Sequence, residues 1–321
     1  MPEDNKIYDI AIVGNGPSGL SASIYASRYK LSNIIFGKTI GGTISEAHKV
    51  CNYPGITDIS GLDLGMRFFQ QAKDLGGEYS TEQIVDLKKE NNVFKLSTDN
   101  GKEYLSKTVV MSIGSNRSKL NLKEEDKYLG KGLSYCATCD SMFFRNKTVA
   151  IIGGSNAATM AASMLSDVAK EVYIIYRGTE LKGEPMWIDV VTKKDNIKII
   201  YTTIVIGIEG ETHVERVKLS RPYNGSEYLN VDGIFVEIGS EPNVDLANKL
   251  NLELEDGLIK VNVDQSTSVE GIWAAGDCTT GSNRFRQVVT AAAEGSIAAN
   301  SIYSYLRRTG ATTGVLCPSG Y

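Results

Sequence analysis

Apolar residues in this chain gather in short unbroken runs, several closed by a glycine turn and followed by a stretch with helical spacing. Tyr8-Asp9-Ile10-Ala11-Ile12-Val13 reads as a buried strand. Gly14-Asn15-Gly16-Pro17-Ser18-Gly19 follows it; Leu20 to Tyr29 then reads as a helix and Asn33 to Phe36 as the next strand. This is a βαβ unit with G-x-G-x-x-G at its first turn. The glycines permit the tight turn and let a phosphate approach backbone N–H groups at a helix N-terminus.

The pattern recurs. Thr148 to Ile152 reads as a strand and Gly153-Gly154-Ser155-Asn156-Ala157-Ala158 as its turn; an Ala- and Met-rich helix runs to Leu165, and Glu171 to Tyr176 is a further strand. Here Ser155 stands where the middle glycine belongs, and a side chain there would crowd a pyrophosphate. The second unit therefore predicts the fold better than it predicts a cofactor site. Between the units, Glu78 to Val110 alternates with an Asp99-Asn100-Gly101 turn and predicts an antiparallel insertion. Gly271 to Asp277 is a short apolar strand ending in Gly-Asp, Gln287 to about Leu306 a helix, and Thr309 to Tyr321 a tail.

Composition narrows the classes. A chain of 321 residues, 42% of them apolar, is long enough for two globular domains. A net charge of −4 gives no electrostatic reason for binding nucleic acid or an anionic membrane. The polar start and the lack of a long apolar run predict neither a signal peptide nor a membrane span, hence a cytoplasmic protein.

Five cysteines in so long a chain are no disulfide scaffold. Two of them form the segment Cys136-Ala137-Thr138-Cys139-Asp140, between the two glycine-turn units. This spacing permits a ring-closed disulfide and lowers one thiol's pKa toward about 7. The neighbouring Asp140 can give or take the proton that thiol chemistry needs, and can also serve as a helix N-cap. A zinc site would require two more ligands; the chain has no second cysteine pair and only His48 and His213, both read as surface residues, so no metal is expected. Cys51 and Cys278 read as buried small hydrophobes.

With these residues in hand, the chain resembles the low-molecular-weight thioredoxin reductases, FAD-dependent class II pyridine nucleotide-disulphide oxidoreductases. The likeness rests on Gly14 to Gly19, Gly41-Gly42, Asn52-Tyr53-Pro54-Gly55, the Cys136 to Asp140 pentad, Gly239-Ser240-Glu241-Pro242-Asn243, Ala275-Gly276-Asp277 and Arg286-Gln287-Val288. It implies an α/β fold of two Rossmann-like three-layer ββα domains, the second inserted in the first. A discontinuous FAD domain would comprise 1–116 and 246–321, and an NAD(P)H-like insert carrying the dithiol would comprise 117–245. Carried over residue by residue, Gly14, Gly16, Pro17, Ser18 and Gly19 would hold the FAD pyrophosphate. Gly37, Lys38, Gly41, Gly42 and Thr43 would wrap the adenosine end and the flavin, although Thr43 replaces the family's usual Gln; Asn52 would lie near the flavin ring, and Gly114 is a further cofactor-binding position. Gly276 and Asp277 would bond the ribityl chain; Arg286, Gln287 and Val288 would line the isoalloxazine. Tyr321 is either part of a disordered end or a ring stacked on a flavin.

The resemblance further implies that two electrons from reduced FAD enter the disulfide at Cys139. Cys136 then attacks a disulfide of thioredoxin or a thioredoxin-like protein, and Asp140 protonates a leaving thiolate. A homodimer is a family expectation. The electron source stays open. NADPH-using members carry Gly-x-Gly-x-x-Ala, a Glu in the next helix and an arginine-rich run after the second strand. This chain offers Gly153, Gly154, Ser155, Asn156 and Ala157, then Met160, and only Arg177 of the arginines. Losing one or two charge-assisted hydrogen bonds to the 2′-phosphate weakens NADPH by roughly tenfold to a thousandfold. Weak NADPH use, NADH use, and a pyridine-nucleotide-independent enzyme fed by ferredoxin or another reductant all remain, the last favoured. A ferredoxin–NADP reductase on the same framework lacks the dithiol; a flavin-bound redox sensor is a third reading.

Overall fold

The structure, a computed structural model, describes residues 6–90 and 92–310. The chain divides into two compact units, one of 1–116 and 242–321, the other of 117–241.

In the first unit, β1 (Ile7–Val13) runs into α1 (Pro17–Arg28), which returns to β2 (Asn33–Phe36). The helix starts at Pro17, inside the glycine turn and earlier than Leu20. Proline at the first helical position lacks only an N–H that has no helical partner anyway. After α2 (Gly61–Asp74) come β3 (Glu78–Ser80), β4 (Ile84–Glu90), β5 (Val93–Thr98) and β6 (Glu103–Met111). The sheet order is β3-β2-β1-β6-β5-β4, and the strand Ile272–Ala274 pairs in parallel with β6. The expected antiparallel insertion holds only for β4, β5 and β6: β3 joins β2 in parallel, and β6 also runs parallel to β1. Alternation along a strand reports which faces are buried, not the direction of its neighbour.

Register places Val13 beside both Phe36 and Met111, and Met111 beside Ala274. Four strands thus end on one line, where open parallel sheets build their ligand sites. Alternate β1 residues feed two cores. Ala11 and Val13 pack with Phe36, Phe94 and Leu246. Ile10 and Ile12 pack with Leu20 of α1 and with Ala298, Ile302 and Leu306 of the long helix Val288–Arg308.

The second unit has a five-stranded parallel sheet. Its order is Ile197–Ile200, Glu171–Ile175, Thr148–Ile152, Gly233–Val236 and Leu133–Ser134. The helices Asn156–Leu165 and Pro185–Thr192 contribute to the core on one face. A three-stranded antiparallel sheet packs on the other through Ile208, Val217, Leu219 and Leu229. The result is the three-layer ββα arrangement expected from the resemblance.

Candidate active site

Cys136 and Cys139 are joined by a disulfide with S–S 2.04 Å and Cα–Cα 5.3 Å. The strand Leu133–Ser134 leads into the pair, and the single helical turn Ala137–Asp140 carries Cys139 and Asp140. The Cys139 N–H points at Cys136 Sγ, 3.1 Å away. The Asp140 carboxylate accepts a 2.6 Å hydrogen bond from Ser134 Oγ; Asp140 stands at the N-cap position of the 3-10 turn Ser141–Phe144, but its side chain makes no capping bond there. His48 and His213 are exposed and distant in sequence from the pair; Asp140 is the carboxylate adjoining the disulfide along the chain, while Tyr135 on the other side has its hydroxyl hydrogen-bonded to Glu125 Oε1. Cys278 is fully buried, and burial pushes its thiol up to about 12, which makes it inert. Cys51 is only partly buried, contrary to expectation.

In the first unit the glycine turn opens onto a cleft at the common strand end. One part, of 310 Å³, is lined by Gly14, Gly16, Pro17, Ser18, Gly42, Thr43, Gly114, Asp277, Arg286, Gln287 and Val288. A neighbouring part, of 520 Å³, shares Gly14 and Ile113 with it and adds Gly37 and Lys38. Asn52 is tied to the first part by donating from Nδ2 to Gln287 Oε1 at 2.9 Å. Gly19 and Gly41 lie behind the lining: a Cβ on Gly19 would sit 1.9 Å from Gly14 O, and Gly41 donates its N–H to Asn15 O. Gly276 also stands behind it, donating to Glu294 Oε2 at 2.7 Å. Tyr321 lies outside the described residues.

Two glycines of the turn have different reasons to be glycine. Gly14 has φ +114°, and a Cβ there would sit 2.0 Å from Ser112 O, so the fold itself requires it. Gly16 has φ −74°, which any residue adopts, and a Cβ would approach nothing nearer than Gly41 O at 3.8 Å. Among the described residues no protein atom demands glycine at 16, and its backbone is left open to the cleft.

The second turn repeats this frame with the space filled. Gly153 has φ +141°, and its Cβ would meet Glu237 O at 2.1 Å. Ser155 takes the position of Gly16 with nearly the same backbone, φ −96° and ψ −170° against −74° and −175°, and carries a side chain there. Gly154 lies under the Tyr176 ring. Asn156 is engaged with Glu184, whose N–H donates to Asn156 Oδ1 and whose carboxylate accepts from Asn156 Nδ2. Ala157 and Arg177 are exposed, and Arg177 makes no ion pair among the described residues.

The model of the family described as pyridine nucleotide-disulphide oxidoreductase matches residues 8–295. The chain belongs to the pyridine nucleotide-disulphide oxidoreductase family. It is 37% identical to a thioredoxin reductase of Borreliella burgdorferi over 95% of this chain and 94% of that protein. The crystal structure of T. acidophilum thioredoxin reductase superposes with a TM-score of 0.88 at 34% identity, covering 94% of this chain and 99% of that one. A ferredoxin-flavin thioredoxin reductase from Clostridium acetobutylicum gives 0.51 at 31% identity, covering 94% and 98%.

Like other pyridine nucleotide-disulphide oxidoreductases of this type, the protein binds FAD, and the cleft of the first unit fits it. The open Gly16 backbone suits a pyrophosphate. Asp277 offers a carboxylate to which no donor is hydrogen-bonded among the described residues. Burial raises the Asp277 pKa; Arg286 opposes that shift and Glu294 adds to it. The folded FAD-free protein therefore holds this proton more tightly than the unfolded chain. Its stability should fall as pH rises from 3.8 through the raised value, and Asp277→Asn should remove that loss. Thermal melts of FAD-free protein across this acid range check the sign.

Sequence reading missed Asn15, Ser112 and Gln83 as cleft residues. Asn15 also accounts for the missing acid at the end of β2. Its side chain donates to Gly37 O at 3.2 Å and fills the space that any Cβ on Gly37 would enter. Ser112 could have been found from its place directly after a strand that ends beside β1.

Proposed function

We propose that the protein is a thioredoxin-disulfide reductase whose FAD is reduced by ferredoxin or another donor rather than by NADPH, with thioredoxin or a thioredoxin-like protein as acceptor. The observation that carries the acceptor half is the Cys136–Cys139 disulfide followed by Asp140 within a chain of this family. Met142 and Phe143, after Ser141, are 60% and 72% exposed, an apolar pair suited to cover by a protein substrate. FAD, when bound, supplies the electron pair. The chain's own residues do the rest: Cys139 receives, Cys136 departs as a thiolate and later attacks the acceptor disulfide, and Asp140 gives a proton to a departing thiolate.

The donor half rests on Ser155. Its side chain stands where Gly16 leaves the FAD turn open, and a lone exposed Arg177 is a poor match for a 2′-phosphate. The solved relative named a ferredoxin-flavin thioredoxin reductase supports the same direction. A cytoplasmic homodimer belongs to this reading, carried by the resemblance to thioredoxin reductases. Among the described residues no helix is long and apolar enough to cross a membrane. The test is anaerobic: reduced ferredoxin should bleach the flavin absorbance rapidly, and NADPH or NADH at micromolar concentration should not. Rapid bleaching by NADPH would overturn the donor assignment and leave the acceptor half standing.

A further inference from the structure

We propose that Ser134 is a positioning residue for Asp140, a hydroxyl rotor that satisfies the carboxyl group in both of its protonation states without moving a heavy atom. The inference rests on the reading of Asp140 as the acid/base.

Ser134 is 5% exposed and ends the strand Leu133–Ser134, held in register against Phe235 of the parallel sheet. Its backbone is therefore fixed, and only the hydroxyl hydrogen is free to turn. Three polar atoms surround Oγ. Asp140 Oδ2 lies at 2.6 Å, the Cys136 N–H donates to it at 2.9 Å, and Cys136 O lies at 3.2 Å. A hydroxyl has one hydrogen and two lone pairs, and these three neighbours use that capacity in two ways.

With Asp140 ionised, the Ser134 hydroxyl donates to the carboxylate, a short charge-assisted bond, while accepting from the Cys136 N–H. With Asp140 protonated, the acid hydrogen donates to Ser134 Oγ and the hydroxyl turns to Cys136 O. Proton transfer to a leaving thiolate breaks the Asp140 O–H bond, forms S–H and leaves a carboxylate; the serine hydrogen then swings back to it. Ser134 is the only side chain hydrogen-bonded to the Asp140 carboxylate among the described residues, and no ion pair holds that carboxylate among them. The same serine fixes the Cys136 backbone, so acid and thiol are set from one point.

The test uses the FAD-loaded enzyme with thioredoxin, at rates measured across pH. Asp140→Asn should remove one limb of the profile. Ser134→Ala should lower kcat for thioredoxin reduction by about tenfold with KM for thioredoxin unchanged, because both protonation states of the carboxyl lose their partner. Ser134→Thr keeps the hydroxyl and should restore kcat. Should the alanine variant fail to fold, Ser134→Cys keeps the size with a weak donor and is read in the same way. A Ser134→Ala kcat equal to that of the wild type, or a loss that Ser134→Thr does not restore, overturns the proposal. If Asp140→Asn leaves the profile unchanged, the acid/base reading fails and the proposal falls with it.

Discussion

Replacing Cys136 by serine should abolish thioredoxin reduction, a loss of about a thousandfold or more, and leave the FAD spectrum intact. Exchange with a protein disulfide needs a thiolate that attacks, a mixed disulfide, and a second thiol that resolves it. The Cys136–Cys139 pair supplies both thiols from one short turn. A serine oxygen in place of Cys136 neither ionises near neutral pH nor takes part in sulfur exchange, and Cys139 alone cannot be both receiver and resolver. The cofactor cleft lies within the first unit and the pair within the second, so cofactor content should not change. Steady-state thioredoxin reduction, driven by whichever donor reduces the flavin, measures the effect. Turnover close to wild type in Cys136→Ser would mean that electrons bypass the disulfide, as in a ferredoxin–NADP reductase. A wild-type protein that reduces thioredoxin once and stops would favour a redox sensor.

The two glycine-turn units, their flanking strands and the redox pentad were legible because each is local. Val13, Gly14 and Pro17 adjoin in sequence as they do in space, and an unbroken apolar run before a glycine turn has few other solutions. What escaped was contact between distant segments. Asn52 meets Gln287 across 235 positions, and Gly276 leans on a buried Glu294 that composition would have placed on the surface. That Asn15 leaves no room for a side chain at position 37, and so for an acid at the end of β2, is a contact between segments 22 positions apart. The direction of β3 was likewise invisible, since three residues alternate in the same way beside a parallel or an antiparallel neighbour. Ser134 was overlooked although it lies two residues from Cys136, because its role depends on a turn bringing Asp140 back against the strand end.

The sharpest separation of fold from cofactor is expected within the first turn itself. Gly16→Ala should leave the FAD-free protein as stable as before or slightly more so, by about 0.5 kcal/mol. Its φ of −74° suits alanine, and the unfolded chain loses freedom. FAD affinity should nonetheless drop on the order of a hundredfold, since the methyl group occupies the surface against which a pyrophosphate must lie and costs one or two charge-assisted hydrogen bonds. Gly14→Ala should instead destabilise the fold. At φ +114° with a Cβ 2.0 Å from Ser112 O, β1 and β6 must part where they share the cleft floor, at a cost of about 3 kcal/mol or more. Denaturant melts of both FAD-free variants, set beside flavin titrations, read the two quantities independently. Should Gly16→Ala bind FAD like the wild type, the turn would not be the pyrophosphate cradle. The contrast with Ser155, on which the donor assignment stands, would then lose its force, because that contrast assumes that a side chain at this point of the turn excludes a dinucleotide.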